Sequence, residues 1–126
     1  MNKPDQALRI VVKAAGAALV AAIGAIGPAH AASIDNGKAL VESHNCAACH
    51  GATFNKPVSN DYPKLAGQHA DYLYWALRAY QAGTANPNFG RNNPIMQAQV
   101  QSLSLSDMKD IAAYLESLPG VLVDKK

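Results

Sequence analysis

Beyond residue 31 the chain is expected to fold as an all-α domain with long loops, on three observations. No segment keeps the apolar–polar alternation of a half-buried strand. Apolar residues recur at helical spacing, as Leu73-Ala76-Leu77-Tyr80 and as Met108-Ile111-Ala112-Leu115-Leu118. The stretches between these stripes are rich in Asn, Ser and Pro, which break periodic structure.

Met1 to Ala31 read as a secretory signal. Lys3, Arg9 and Lys13 against Asp5 make a basic start. Ala14 to Gly27 is an uncharged run of 14 residues, short of the roughly 20 that a spanning helix needs. Ala29-His30-Ala31 supplies a small-x-small cleavage site. Cleavage before Ala32 is therefore expected rather than a retained anchor, with export and no stable membrane insertion afterwards. Residues 32–126 form one small domain of 95 residues, with eight Lys plus Arg and eight Asp plus Glu. That balance offers no basic patch for nucleic acid.

Ser33 to Asn45 reads as the first helix, capped by Ser33 or Asp35 and made apolar on one side by Leu40 and Val41. Gly37 lies inside it, where glycine costs about 1 kcal/mol against alanine. Close approach of another backbone or ring would explain that cost.

Cys46-Ala47-Ala48-Cys49-His50 follows, with both cysteines of the chain and one of its four histidines. Residues i and i+3 share one helix face. Two thiols so placed can reach the two vinyl groups on one porphyrin edge as thioethers, and the next histidine can reach the iron. This is the attachment pattern of c-type haem. A thioredoxin-like redox pair would need flanking strands, and none is predicted. A zinc site would need four ligands, and no second Cys pair or His-rich partner follows. A plain Cys46–Cys49 disulfide would leave His50 without a role. One haem c, held covalently, is the expected cofactor, and it would supply much of the apolar centre that so short a chain lacks.

Ala52 to Lys64 is expected to be loop. Gln68 to Ala82 is predicted helical, with Gly83 ending it. Trp75 and the tyrosines of this segment are expected in the core. Thr84 to Pro94 reads as a second loop. Ser104 opens the last helix: Ser104 with Asp107 makes a capping box, Leu103 with Met108 a hydrophobic staple. Pro119-Gly120 stops it, and a short tail follows.

Taken together these pieces resemble a class I c-type cytochrome, most of all a single unit of the periplasmic c-four group. The resemblance runs from Asn36 to Leu118. It is carried by Gly37-Lys38-Ala39-Leu40, Cys46-Ala47-Ala48-Cys49-His50-Gly51, Tyr62-Pro63-Lys64-Leu65-Ala66-Gly67-Gln68, Met96, and Leu103-Ser104 leading into Ile111-Ala112-Ala113-Tyr114-Leu115. It implies three main helices and long loops around one haem, the first and last helices crossing. Gly37 then matches the small residue at the crossing, with Ile111 and Tyr114 packed over it. Pro63 matches the proline whose carbonyl accepts a hydrogen bond from the haem histidine, here His50. Two departures stand out: c-four relatives often carry two haem units, and the sixth-ligand region, often Met-Met, here reads Ile95-Met96.

Met96, Met108, His44 and His69 are the candidates for the sixth ligand. Met108 is claimed by the staple, His44 sits on the proximal segment, and His69 reads as a solvated helix-end residue. Met96, in a loop 46 positions beyond His50, is the choice that the resemblance supports. The expected function is single-electron transfer in the periplasm, not enzyme catalysis. The expected partners are redox proteins: a periplasmic or membrane-bound donor, and an oxidase or reductase as acceptor. Two other classes fit the motif. One is a haem subunit of a larger dehydrogenase. The other is a sensor or catalytic haem protein with an open iron position.

Overall fold

The computed structural model describes residues 31–121. The predicted signal, apart from Ala31, and the end of the predicted tail lie outside the described residues. The elements are α1 (Ile34–Ser43), α2 (Ala47–His50), α3 (Ala70–Ala82), a 3₁₀ turn (Gly83–Ala85), α4 (Pro94–Val100) and α5 (Leu105–Ser117). No strand occurs among the described residues. The three longest helices are the predicted ones; two short helices, α2 and α4, join them.

Each main helix starts where the sequence says it should, within two residues. The Ser33 hydroxyl accepts from Asn36 N–H and caps α1. Ser104 and Asp107 form the full capping box of α5, each side chain bonded to the other residue's backbone N–H. Leu103 and Met108 are both buried beside it, as a staple requires. α3 begins two residues later than predicted, with His69 at its cap position. Its end is set by Gly83, whose φ of +53° only glycine adopts cheaply.

α1 and α5 cross, and the crossing is glycine-dependent. A methyl group on Gly37 would fall on the Asp110 carbonyl oxygen and 2.9 Å from Tyr114 Cβ. The nearest atoms belong to Asp110 and Tyr114; Ile111, also expected over Gly37, is buried in the core. Val41 of α1, Leu73 of α3, Val100 of α4 and Met108, Ile111, Ala112 and Leu115 of α5 share that core with Leu103. The apolar stripe of α5 is thus the spine on which the other helices pack.

One charged side chain sits inside this arrangement. Asp110 is fully buried and accepts from Ser33 N–H at 2.8 Å and from Asn36 Nδ2 at 2.7 Å. A carboxylate on α5 thereby satisfies the free donors at the start of α1. Asp110→Ala should remove these charge-assisted bonds and cost about 1.5–3 kcal/mol. The check is a urea titration, with a lower midpoint at unchanged slope. An unaltered midpoint would mean the carboxylate does not hold α1.

Trp75 departs from expectation: it is 55 % exposed. It lies two residues from buried Leu73, about 200° round the helix, so the two cannot share a face. Its ring meets Phe89 at 5.9 Å and Tyr74 at 5.1 Å, both edge-on. Tyr72 is exposed as well, against expectation, whereas Tyr74, Leu77 and Tyr80 pack against the core.

Candidate functional site

The site begins with the turn after α1. Asn45 takes a φ of +52°, which reverses the chain and starts α2 at once. Cys46 precedes α2, while Cys49 and His50 lie in its single turn. The predicted helical turn for the motif is therefore present. Both cysteines are partly buried, and they form no disulfide with each other. Burial pushes the Cys46 thiol above its ordinary pKa; its own backbone pulls the other way, and the charge of Cys49 adds to the rise.

Gly51 ends the turn with a φ of +82°, and a Cβ there would collide with the Lys56 carbonyl. That fold-back lays the following loop against the motif. Phe54 N–H donates to the Gly51 carbonyl and Val58 N–H to the Cys49 carbonyl at 3.1 Å. Phe54 is buried, and its carbonyl accepts from Leu65 N–H at 2.8 Å. The loop is expected from its Pro and Asn content; its tight folding over α2 is not.

Its consequence is the position of Pro63. Nδ1 of His50 donates to the Pro63 carbonyl at 2.9 Å. This bond fixes the imidazole as the tautomer with the proton on Nδ1, leaving Nε2 as a lone-pair donor. His50 is 5 % exposed, and Tyr62 meets its ring edge-on at 6.2 Å. A buried imidazole oriented through Nδ1, with the lone pair on Nε2, has the chemistry of a metal ligand.

Met96 lies in α4 and not in a loop, which corrects the sequence reading. Asn93 and Pro94, there read as loop residues, are the cap and first residue of that helix: Asn93 Oδ1 accepts from Met96 N–H at 3.0 Å. Met96 is partly buried against the core. The other candidates are placed as expected. Met108 is wholly buried. His44 caps α1 on the motif side. His69 is exposed at the start of α3, 3.9 Å from a Glu116 carboxylate oxygen.

The donor set of two thiols, one oriented imidazole and one thioether fits an iron porphyrin. Apolar side chains stand exposed beside both ends of the set, Val58 next to the motif and Ile95 next to Met96. Arg91 is held against two tyrosine rings of α3. Its guanidinium lies 5.6 Å from the Tyr72 ring centroid and 5.4 Å from that of Tyr80. The Tyr72 hydroxyl holds its pKa above the usual value, burial opposing and Tyr80 assisting.

A model of the cytochrome c family matches residues 34–119. Cytochrome c4 of Stutzerimonas stutzeri is 40% identical over 108 residues, covering 81% of this chain and 49% of that one. Cytochrome c-554(548) of Halomonas halodenitrificans is 42% identical over 72 residues, 57% of this chain and 82% of that one. The crystal structure of reduced recombinant cytochrome c4 from Pseudomonas stutzeri aligns with a TM-score of 0.63 at 36% identity, covering 73% of this chain and 48% of that one. The chain spans about half the length of the cytochrome c4 relatives it matches.

Proposed function

The chain belongs to the cytochrome c family, related to the c4 group, and on that premise we propose a periplasmic single-electron carrier whose haem is ligated by His50 and Met96. Membership makes it a haem electron carrier with one covalent haem c. The remaining assignments are the proposal. Cys46 and Cys49 form the thioethers. Residues 1–31 are removed on export, so the mature chain begins at Ala32. The chain carries electrons between redox proteins and catalyses no reaction of its own.

The observation that carries the reading is the bond from His50 Nδ1 to the Pro63 carbonyl at 2.9 Å. When bound, the haem supplies an iron that cycles between ferrous and ferric states. The chain supplies what surrounds that cycle. His50 is held in one orientation before ligation, and the carbonyl increases its basicity as a ligand. Met96 offers a soft thioether, which favours the ferrous state and raises the potential. With His50 and Met96 both holding the iron, no position would be left open for substrate, which would suit a carrier. The partner would dock through a small, transient interface.

The test is mass spectrometry and spectroscopy of the exported protein. One haem per chain should survive acid–acetone extraction, and the chain should begin at Ala32. The reduced protein should not bind carbon monoxide. Recovery of apoprotein with a Cys46–Cys49 disulfide from cells competent in haem attachment would overturn the attachment. Ready carbon monoxide binding would favour the sensor class instead.

A further inference from the structure

We propose that Asn93 and Gln81 are positioning residues that keep the Met96 thioether in place by fixing the two ends of α4. The inference rests on the His50/Met96 reading above. Methionine is unbranched and flexible, and its sulfur bonds weakly. What holds such a ligand on a metal is the backbone that presents it.

α4 cannot supply that rigidity alone. It has seven residues, and isolated helices shorter than about 12 are marginal in water. Its backbone is fixed from outside. At the start, Asn93 Oδ1 accepts from the N–H of Met96 itself at 3.0 Å, and Pro94 presets the first helical φ. At the end, Gln81 Nε2 donates to the Val100 carbonyl at 3.1 Å and to the Leu103 carbonyl at 2.9 Å. Gln101 returns a bond to the Gln81 carbonyl at 3.2 Å.

Both fixings lead back to α3. Gln81 lies on it, two residues from Ala79, whose carbonyl accepts from Arg91 N–H at 2.9 Å. The segment from Arg91 to Leu103 is therefore gripped by α3 at its entry and its exit. Met96 stands between the grips, one turn beyond the cap. Buried Val100 closes the same segment onto the core. Two amide side chains, neither able to ligate iron here, thus set where the sulfur stands.

The test compares holoprotein variants by the rate at which cyanide binds the ferric protein, since cyanide can enter only when the sulfur is off. Asn93→Ala removes the acceptor at the Met96 N–H. Gln81→Glu keeps the side chain's size but donates to neither carbonyl. Each should raise the cyanide rate about fivefold, the ratio to which roughly 1 kcal/mol of lost capping converts. Each should also weaken the sulfur-to-iron charge-transfer band on warming, well below unfolding. Asn93→Asp, which keeps an acceptor, should restore both. Ser104→Ala removes a similar cap from α5 and should lower the melting temperature without moving the cyanide rate. Wild-type rates in Asn93→Ala and Gln81→Glu, with fast binding in Met96→Ala, would overturn the clamp and leave the ligand standing. An equal rise in Ser104→Ala would also overturn it, as general destabilisation. Cyanide binding as fast in the wild type as in Met96→Ala would overturn the ligation, and the clamp with it.

Discussion

Gly37→Val should lower the melting temperature of the holoprotein by about 12–24 °C. The estimate follows from the crossing of α1 and α5. The added Cβ meets the Asp110 carbonyl, which is backbone, and Tyr114 Cβ, which is the stiff root of a side chain. Neither can swing away as the tip of a lysine could, so one helix must shift. Overpacking costs typically 1–3 kcal/mol, and a forced backbone shift lies at the upper end. A cost of about 3 kcal/mol corresponds to that temperature range for a domain of this size. The shift would also pull Asp110 from Ser33 N–H and Asn36, because the donors ride on α1 and the acceptor on α5. Gly37→Ala should fall in the same direction, since the clash begins at Cβ. A melting temperature unchanged within error in Gly37→Val would mean the helices do not meet there.

The three main helices were legible because their signals are local. Ser104 and Asp107 are three residues apart, and their capping box needs nothing from the rest of the fold. The stripe from Met108 to Leu115 needs only the helical period, and those positions are buried. The motif of Cys46, Cys49 and His50 was legible for the same reason: one turn of helix fixes its spacing. Gly37 gave half of its message. A glycine inside a helix signals close approach, but only the family resemblance pointed to the partner helix.

What stayed hidden depends on contacts between distant residues or on residues with two meanings. Asn93-Pro94 reads as a loop because both residues break helices from within. At a helix start the same properties are favourable: an acceptor for a free N–H, and a fixed φ with no N–H to satisfy. The seven-residue α4 spans only two turns, too short for its one apolar i, i+4 pair, Met96 and Val100, to decide between these meanings. Gln81 was invisible for a different reason. Its carbonyl partners lie 19 and 22 residues on, and nothing local distinguishes it from any polar helix residue. Asp110 sits between Met108 and Ile111, where the stripe should be apolar on its inner side. Its burial makes sense only once the start of α1 is seen to bring two donors to it. Trp75 was misplaced by residue type: its size favours burial, but its phase on α3, set by buried Leu73, does not.

The second large effect is expected at Met96. Met96→Ala should abolish the weak sulfur-to-iron charge-transfer band of the ferric protein and open the ferrous iron to carbon monoxide. It should also lower the potential by on the order of 0.2 V, a part of the roughly 0.8 V that axial ligands span. The direction follows from the ligand. A thioether stabilises ferrous iron, and its loss to water or hydroxide removes that preference. The competing ligands are constrained by position. Met108 is 0% exposed and fills the core beside Leu103 and Val100, so Met108→Leu should cost little and leave the spectrum alone, as volume-conserving core swaps do. His44 is fixed at the end of α1, its N–H bonded to the Glu42 and Leu40 carbonyls, on the segment that leads into Cys46. The His69 side chain is 66% exposed, near Glu116 at the start of α3. Met96 alone combines a soft donor, partial burial against the core, and a helix whose cap bonds its own N–H. Retention of the charge-transfer band in Met96→Ala would rule it out, and Met108, the other methionine among the described residues, would be the next to replace. Loss of the band with no change in potential would contradict the thioether's role in setting it.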